Sequence, residues 1–369
     1  EFSKELIDMN VKKKVTTIDI ARRAGVSQST VSMILNEKEG VSFSPETKEK
    51  VLKAMKELGY KKKIKPEKLK EQSLNNLILI VCPILSNIYY TMLIHAISQQ
   101  ADAYGYQIIV VPTMRYVAKE QSATQIFSNF PIAGIIFLYP ISNMEELQNL
   151  PNHIPMVSIG EKVANHRFDA IDLNSSKPSY LIGEHLISLG HRKIGYISTP
   201  LEQKELARVQ RLAGLRSCFW KQHMEPDDHV FVMSPTEEEF STYPIDRLEY
   251  ETGYQMALKL LAKEPDITAF VGVNDMIAVG IMDALYAKKF KIPQDFSVCG
   301  FDNTPLSSYR KISLTTVDHS VEQKGKEAIE IIHRKNTSHR GVKHKNFIMR
   351  LEYEPELIKR SSTGPVRKQ

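Results

Sequence analysis

The chain has 369 residues, of which 42% are hydrophobic and 25% are charged, values that are ordinary for a globular protein of two or three domains. No apolar run approaches the roughly 18 residues that span a bilayer, and the first residues lack the apolar segment of a signal peptide. The three cysteines, Cys82, Cys218 and Cys299, are far apart and form no CxxC pair, which argues against a disulfide framework and a zinc site and indicates a cytoplasmic location.

The positive charge of the chain is concentrated at its start. Residues 1–70 hold 17 Lys and Arg against 10 Asp and Glu, whereas the rest of the chain holds 32 basic and 33 acidic residues. A small basic module attached to a neutral body is the charge pattern of a nucleic-acid binder. A solvated lysine-rich surface has the same composition, so charge alone leaves both interpretations open.

Residues 15–60 show the pattern of three short helices. Thr16, followed three residues later by an acid, predicts the capped start of the first helix. Gly25 supplies the backbone freedom of a tight turn, and Ser27 is placed to cap the second helix. Ser44 followed by proline predicts the start of the third helix. Two short helices joined by a glycine turn and completed by a third indicate an all-α helix-turn-helix domain.

The second helix is predicted to expose five side chains suited to contacting DNA: Gln28, Ser29, Ser32, Met33 and Asn36. An amide can pair with adenine through two hydrogen bonds in the major groove, and hydroxyl groups can bind bases or phosphates. Met33 offers apolar contact only, for example to a thymine methyl group. The alternative is that these side chains form the polar face of a purely structural subdomain. A subdomain with so small a core would contribute little to the stability of the protein, which makes that alternative less favoured. We therefore predict DNA binding.

The stretches TIDIARRAGVSQSTVSMILN and VSFSPETKEKVLKAMKELGY resemble the headpiece of the lactose-repressor (LacI/GalR) family of bacterial transcription regulators. The resemblance implies that Gln28, Ser29 and Met33 contact bases of operator DNA. It also implies phosphate contacts by five residues of the turn and the helices: Thr16, Ser27, Thr30, Ser32 and Asn36. Met33 stands where the family often has arginine, so the resemblance implies no particular operator sequence.

Residues 61–75 form a polar, basic linker that contains Pro66. In the family that the headpiece resembles, this segment orders as a short hinge helix on DNA, and a leucine wedges into the minor groove. Leu69 matches that leucine by its distance from the end of the headpiece. If Pro66 begins a shifted helix, Leu74 is the alternative wedge, and a disordered linker is a third interpretation.

From residue 76 onward, apolar runs typical of buried strands alternate with amphipathic helical stretches. The strand-like runs are NLILIVC, YQIIVVP, AGIIFLY, IPMVSIG, KIGYIS, HVFVM, ITAFVGV and FSVCGF. The predicted helices include residues 91–104, 176–189, 206–222, 250–263 and 275–288. This alternation predicts parallel sheets that are covered by helices on both faces.

This body is too long for one doubly wound α/β domain, and a new βα pattern begins at DAIDLNSS. We therefore predict two α/β lobes with a ligand cleft between them, the architecture of periplasmic binding proteins. The predicted N-lobe comprises about residues 76–173 and 304–318, and the predicted C-lobe about residues 174–303 and 319–369. Motifs such as LGHRKIGYI, FVGVNDMIAVGIMDAL and FSVCGFDNTPLSSY are similar to those of the LacI/GalR family. The resemblance implies an effector-binding and dimerisation domain over residues 76–369.

A sugar-like ligand requires an aromatic surface and planar polar groups that bind neighbouring hydroxyls through paired hydrogen bonds. Position in the family pattern gives six candidates for the effector site: Asn87, Tyr89, Tyr90, Arg211, Asn274 and Asp302. Arg211 and Asp302 are expected to form a charged pair within one lobe. Core or interface tyrosines and a solvated arginine remain alternatives. Trp220 is predicted to lie buried on the apolar side of its helix.

The sequence shows no G-x-S-x-G elbow, P-loop, G-x-G-x-x-G or H-E-x-x-H motif, and no cofactor or metal site is predicted. We therefore expect a non-enzymatic transcription regulator. It is predicted to be a repressor that binds palindromic operator DNA as a homodimer and responds to a small, sugar-like effector. Two alternatives stay open: a global regulator controlled by a phosphorylated protein partner, and a stand-alone sugar-binding receptor.

Overall fold

The computed structural model describes residues 16–35, 43–58, 60, 76–129, 132–140, 154–161, 169–201, 206–338 and 348–367. The chain divides into two compact units, Glu1–Lys70 and Glu71–Gln369. Within the ranges that the structure describes, no helix is long and apolar enough to cross a membrane.

The described part of the first unit consists of three short helices: α1 (Thr17–Ala24), α2 (Gln28–Leu35) and α3 (Pro45–Glu57). Each helix begins after a residue whose hydroxyl accepts a hydrogen bond from an amide of the first turn, as predicted for Thr16, Ser27 and Ser44. Thr16 and Asp19 complete a reciprocal capping box. Gly25 ends α1 at φ 66, a left-handed conformation that glycine adopts without steric cost.

The three helices enclose a small core of buried aliphatic side chains: Ile20, Ala21, Val31, Leu35, Val51 and Ala54. Each helix contributes one residue that is 0% exposed, namely Ile20, Val31 and Val51. Because so small a core provides little stability, each of its large side chains accounts for a substantial share of the free energy of unfolding of this unit.

The N-lobe of the second unit is built on a parallel sheet. Its elements are β1 (Leu77–Cys82), α4 (Ile88–Ala103), β2 (Gln107–Pro112), α5 (Val117–Asn129), β3 (Gly134–Phe137), β4 (Met156–Glu161), β5 (Asp169–Leu173), α11 (Val321–Ser338) and β11 (Arg350–Glu352). The described strands lie in the order β11-β5-β4-β3-β1-β2. Successive residues of β1 face opposite sides: Ile78 and Ile80 pack with α4 and α11, whereas Leu79 and Val81 pack with α5.

The C-lobe contains a second parallel sheet and a small antiparallel one. Its elements are α6 (Ser176–Ser188), β6 (Ile194–Ile197), α7 (Leu206–Lys221), β7 (Val230–Met233), α8 (Glu237–Ser241), α9 (Leu248–Lys263), β8 (Ala269–Gly272), α10 (Asp275–Ala287), β9 (Ser297–Cys299), β10 (Thr316–Asp318) and β12 (Glu356–Ile358). The order is β7-β6-β8-β9 in the parallel sheet, and β10 pairs antiparallel with β12. The eight apolar runs that the sequence predicted as strands are strands, and the predicted helices are helices.

Two of the last segments lie in the other lobe from the one predicted, whereas β12 lies in the C-lobe as predicted. Leu314 and Val317 pack in the C-lobe core, so residues 304–318 do not belong to the N-lobe. Residues 319–369 do not all belong to the C-lobe, because α11 packs on the N-lobe sheet and β11 pairs with β5. The physical reason is that this face of the N-lobe sheet must be covered by helices, and α4 and α11 are the described helices that pack on it.

The exposure of Trp220 also differs from the prediction. It is 75% exposed and not buried as predicted. Leu215, Cys218 and Phe219 of the same helix are fully buried and complete the side of α7 that faces the C-lobe core. Because neighbouring helical positions differ by about 100°, Trp220 points away from that core.

His191 is a buried histidine that links three segments of the C-lobe. Its Nδ1 lies 2.9 Å from the Thr268 hydroxyl, and its Nε2 lies 2.9 Å from the Ser297 hydroxyl and 3.1 Å from the Gly364 carbonyl oxygen. Burial lowers the pKa of His191 below its ordinary value, so the imidazole is neutral at pH 7.

We expect His191→Asn to lower the stability of the second unit at pH 7.5 by about 1–3 kcal/mol, through lost buried hydrogen bonds. In the wild type, the unfolded imidazole takes up a proton near pH 6.5 and the folded one does not, so stability falls as the pH drops below about 6.5. The variant has no imidazole at this position, so the difference in free energy of unfolding between wild type and variant should be smaller at pH 5.5 than at pH 7.5. Thermal melts at both pH values measure the difference. A pH-independent deficit would contradict the assignment, and His223→Asn, at an exposed residue, is the control.

Candidate functional site

The amino ends of α1 and α2 lie side by side in the first unit. The Gln28 side-chain amide, at the start of α2, donates a hydrogen bond of 3.4 Å to the Thr17 hydroxyl at the start of α1. The Ser27 hydroxyl lies 2.7 Å from that of Ser29 and 2.8 Å from that of Thr30. Helix amino ends carry partial positive charge and amide donors that lack helical partners, which suits phosphate binding.

The predicted DNA-contacting side chains around these helix ends are largely accessible. The exposed residues among them are Thr16, Ser27, Gln28, Ser29 and Ser32, and the half-buried ones are Thr30 and Met33. Asn36 and the two candidate wedges, Leu69 and Leu74, lie outside the described residues. This surface thus combines hydroxyl and amide groups with two helix amino ends, as a surface that contacts DNA requires.

A cavity of about 350 Å³ lies between the two lobes of the second unit. The six predicted effector residues all line it: Asn87, Tyr89, Tyr90, Arg211, Asn274 and Asp302. The wall from the N-lobe is mainly apolar and aromatic, and most charged lining groups come from the C-lobe. A cavity with one aromatic and one charged wall suits a small ring-shaped molecule that carries hydroxyl groups.

Arg211 and Asp302 form a buried pair in the C-lobe wall, as predicted. Arg211 Nη2 lies 3.2 Å from Asp302 Oδ1, and the two side chains are 12% and 7% exposed. The Arg211 guanidinium also donates to the Val273 carbonyl and lies 4.6 Å from the centre of the Phe301 ring. These contacts fix the plane of the guanidinium, so its direction is set before a ligand arrives.

His319 adds a third buried ionisable group beside this pair. Its Nε2 lies 3.7 Å from Asp302 Oδ1. Burial lowers the pKa of His319 well below its ordinary value, so the ring is neutral at pH 7. Burial also raises the pKa of Asp302, and the adjacent Arg211 opposes that shift. Arg211 therefore stabilises the ionised form of Asp302, with a smaller contribution from the charge of Lys324.

Asp275, which the sequence analysis did not single out, holds the loop that carries Asp302. Its carboxylate is 0% exposed and accepts hydrogen bonds from the Thr304 amide at 2.7 Å, the Thr304 hydroxyl at 2.9 Å and the Thr316 hydroxyl at 2.6 Å. Burial and the nearby Asp302 charge raise the pKa of Asp275 to about 7. Asp302 itself has φ 97, a left-handed conformation that Asp tolerates better than most residues.

Glu249 makes a contact across the cleft that the sequence analysis also missed. Its Oε1 accepts a hydrogen bond of 2.7 Å from the Asn87 side-chain amide, which joins the C-lobe to the N-lobe. Asn87 also caps α4, because its Oδ1 accepts from the Tyr89 amide at 2.9 Å. Asn274 caps α10 in the same way, with Ile277. Desolvation at the cavity wall raises the pKa of Glu249, and its hydrogen bond from Asn87 opposes that shift.

Tyr89 and Tyr90 form part of the aromatic wall. Their rings meet edge to face, with centres 5.3 Å apart and planes at 76°. Both are half-buried and pack against the N-lobe core while lining the cavity. The two rings therefore have a structural role as well as a position suited to contacting a ligand.

Comparison with known proteins identifies the two regions of the chain. Residues 16–63 match "Bacterial regulatory proteins, lacI family", and residues 184–363 match "Periplasmic binding protein-like domain". The chain therefore carries a lacI-family DNA-binding region. It is a DNA-binding transcription regulator in which a helix-turn-helix region precedes a periplasmic-binding-protein-like α/β domain with parallel sheets.

Similar proteins match this chain over almost their whole length. The HTH-type transcriptional repressor PurR of Mannheimia succiniciproducens is 29% identical over 355 residues, which cover 95% of this chain and 99% of that protein. The lac repressor dimer bound to operator and the anti-inducer ONPF has a TM-score of 0.64 at 24% identity, covering 95% of this chain and 100% of that chain. A CelR–cellobiose complex has a TM-score of 0.64 at 22% identity, covering 94% of this chain and 99% of that chain. These relatives are transcriptional regulators and not enzymes.

The two acidic residues of the site that the sequence did not predict share one property. Glu249 and Asp275 both lie in the first turn of a helix, α9 and α10. Acidic residues are favoured there because they complement the helix dipole, so their presence in the sequence has an ordinary explanation. Only the packing of the second unit shows that Glu249 faces the cavity and that Asp275 holds the loop in its wall.

Proposed function

We propose that this lacI family regulator is a cytoplasmic, homodimeric repressor whose operator affinity is controlled by a sugar-like molecule bound between the lobes. The observation that carries the proposal is the buried Arg211–Asp302 pair in the wall of a cavity whose other wall is aromatic. Guanidinium and carboxylate groups bind neighbouring hydroxyls through paired hydrogen bonds, and aromatic rings pack against the apolar face of a sugar ring. The cellobiose named with CelR supports a ligand of this class.

The proposed DNA contacts follow from the surface of the first unit. Helix α2 of each subunit enters the major groove, where Gln28, Ser29 and Met33 contact base edges. Phosphates are contacted by residues around the helix ends: Thr16, Ser27, Thr30, Ser32 and Asn36. Leu69 is the proposed minor-groove wedge. A two-fold dimer then binds a palindromic operator with half-sites in successive major grooves.

Lobe closure is the proposed link between effector and operator. The effector contacts both walls of the cavity, and the Asn87–Glu249 hydrogen bond already joins them. The chain crosses between the lobes after β5, after β10 and after β11, so closure must bend all three segments. A coupling free energy of about 1–3 kcal/mol would change operator affinity about 5- to 150-fold.

The experiment that tests this proposal begins with selection of DNA from a random-sequence pool by the purified protein. We expect a palindrome to be enriched, and Gln28→Ala to lose that enrichment while it still retains DNA at low salt. Binding of the selected operator is then titrated with sugars, sugar phosphates and nucleobases. Gln222→Ala, an exposed glutamine of the second unit, is the control. Failure to enrich any sequence, or an operator affinity that no compound alters, would contradict the corresponding half of the proposal.

Substitution of Asn87 tests the contact across the cleft. Asp and Ser both cap helices well, so Asn87→Asp and Asn87→Ser should each preserve the start of α4. Asn87→Asp alone places a second carboxylate beside Glu249, so we expect it to favour an open cleft and to weaken effector binding about 5- to 150-fold, for a repulsion of about 1–3 kcal/mol. Small-angle X-ray scattering and ligand titration measure the two effects.

Asn87→Ser is the matched control for this prediction, because it removes the amide donor without adding charge. Since the pKa of Glu249 is raised, the repulsion in Asn87→Asp should weaken as the pH falls and Glu249 takes up a proton. Equal behaviour of the Asp and Ser variants at neutral pH would show that the lobes do not meet through these residues.

A further inference from the structure

The crossover from β10 to α11 is very short. Val317 is fully buried in the C-lobe core, and Val321, four positions later, packs in the N-lobe core. The connection between the lobes at this point therefore consists of Asp318, His319 and Ser320. Because so short a segment is held at both ends, rotation of one lobe against the other must change its backbone dihedral angles.

This crossover is attached to the loop after β9, which carries Asp302. His319 Nε2 lies 3.7 Å from Asp302 Oδ1, and the Asp302 amide donates a hydrogen bond of 3.0 Å to the Val317 carbonyl. The Asn303 side-chain amide donates a hydrogen bond of 2.8 Å to Asp318 Oδ2. The segment that must bend during closure is thus in direct contact with the loop that the proposed effector contacts.

Asp318 extends this attachment to Ser320, the last residue before α11. Its Oδ1 accepts a hydrogen bond of 2.6 Å from the Ser320 amide. Ser320 has φ 56, a left-handed conformation that is unfavourable for serine, and its carbonyl accepts from the Lys324 amide of α11 at 3.0 Å. Such a conformation persists only where the surrounding contacts impose it. The Asp318 carboxylate therefore helps to hold the backbone from which the N-lobe helix starts.

Asn303 is itself held in place by C-lobe residues. Its Oδ1 accepts a hydrogen bond of 2.7 Å from Arg360 Nη2, and its main-chain amide donates to the Thr316 hydroxyl at 3.3 Å. Arg360 Nη1 also donates to the Leu314 carbonyl at 2.8 Å. Asn303 has φ 46, a conformation that asparagine tolerates better than most residues. These contacts fix the direction in which the side-chain amide faces Asp318.

We propose that the hydrogen bond between Asn303 and Asp318 transmits effector binding from the C-lobe loop to the N-lobe. This inference rests on the proposed effector site and names the contact that links the site to lobe movement. A ligand that contacts Asp302 changes the loop, Asn303 carries that change to Asp318, and Asp318 alters the backbone of Ser320. Asn303 and Asp318 are positioning residues, because neither is among the described residues that line the cavity.

Exchange of the two side chains tests this hydrogen bond. Asn303→Asp places two carboxylates in contact and should break it, while Arg360 keeps an acceptor and the backbone conformation stays tolerated. Asp318→Asn leaves one oxygen to accept two hydrogen bonds. The double variant, Asn303→Asp with Asp318→Asn, reverses donor and acceptor and should restore the link. Asn336→Ala is the control, because it removes a side-chain amide that donates to the Ala133 carbonyl within the N-lobe.

The first measurement requires no effector. Hydrogen–deuterium exchange of the full-length protein reports local opening of the amides of residues 318–328, and thermal melts check that each variant folds. We expect faster exchange over this segment in Asn303→Asp, the wild-type rate in the double variant and no change there in Asn336→Ala. Wild-type exchange in Asn303→Asp, or faster exchange that the double variant does not reverse, would overturn the proposed link.

The second measurement is the affinity for the selected operator with and without four probes: cellobiose, ribose, glucose 6-phosphate and adenine. For a probe that alters the affinity of the wild type, we expect Asn303→Asp to reduce that effect about 2- to 30-fold, the range by which substitutions between coupled sites change their coupling. Binding of the same probe to the free protein, measured by isothermal titration, should be unchanged. The double variant should restore the effect although position 303 still carries a carboxylate.

The outcomes distinguish this inference from the proposed function. If a probe alters operator affinity equally in the wild type and in Asn303→Asp, transmission through Asn303 is wrong and the effector-controlled repressor stands. If Asn303→Asp weakens binding of the probe to the free protein but leaves its effect on operator affinity intact, Asn303 only supports the site and transmission is again wrong. If no probe binds or alters the operator affinity of the wild type, control by an effector is contradicted, and this inference with it.

Discussion

Asp302→Asn is expected to leave the protein folded and bound to its operator but unresponsive to effector. The variant removes the negative charge from a residue that is 6% exposed, lines the cavity and faces the Arg211 guanidinium at 3.2 Å. Asn tolerates the left-handed φ of 97 at this position as well as Asp does, so the loop backbone should be unchanged. A hydrogen bond to a charged group contributes about 1.5–3 kcal/mol, which corresponds to a loss of effector affinity of roughly 10- to 150-fold.

The measurement is an effector titration of the operator complex, with a thermal shift of the free protein as the second readout. Asp266→Asn is the matched control, because Asp266 also pairs with a cation, Lys193 at 2.9 Å, but is exposed and remote from the lining of the cavity. We expect the control to respond like the wild type. A normal effector response in Asp302→Asn would remove Asp302, and with it the Arg211 pair, from the proposed site.

The parts of the fold that the sequence predicted are those set by local chemistry. Thr16, Ser27 and Ser44 begin helices because a hydroxyl satisfies an amide of the first turn, and that signal lies within three residues. The apolar runs that form the strands are an equally local signal. Residues of β1 such as Ile78 and Leu79 are buried on opposite faces of the sheet, so both must be apolar.

The parts that the sequence could not predict depend on contacts between distant segments. Nothing local distinguishes a helix that covers the N-lobe sheet from one that covers the C-lobe sheet, so α11 was assigned to the wrong lobe. The short strands β10, β11 and β12 have three residues each, too few to show an alternating pattern. The same holds for the site, because Glu249 is recognisable only from its contact with Asn87, 162 residues earlier.

The division of the chain into two units has a consequence for how its two activities fail. The core of the first unit is formed by its own helices, and the described residues that line the cavity belong to the second unit. A substitution in the core of the first unit should therefore abolish DNA binding and spare effector binding. This separation provides a test of the small core that requires no knowledge of the effector.

Ile20→Ala is expected to unfold the first unit and abolish sequence-specific DNA binding. Ile20 is 0% exposed at the centre of a core that contains few other large side chains. Truncation of a buried Ile to Ala costs about 2–5 kcal/mol, and a domain of this size seldom has more than about 3–5 kcal/mol of stability. We expect the wild type to melt in two steps, the lower of which is the unfolding of this unit. In Ile20→Ala that lower step should disappear, while ligand-induced shifts of the second unit remain.

Leu52→Ala is the control for this substitution, because it deletes the same number of carbon atoms from a side chain of the same unit that is 51% exposed. Substitution at such a surface position usually changes stability by less than about 0.5 kcal/mol, so operator binding should persist. Circular dichroism melts and operator titrations of the two variants, side by side, measure the effect of burial at constant chemistry. If Ile20→Ala retains the operator affinity of Leu52→Ala, the helices must be held together by contacts beyond this core, and the first unit cannot be the small, independently folded DNA-binding domain described above.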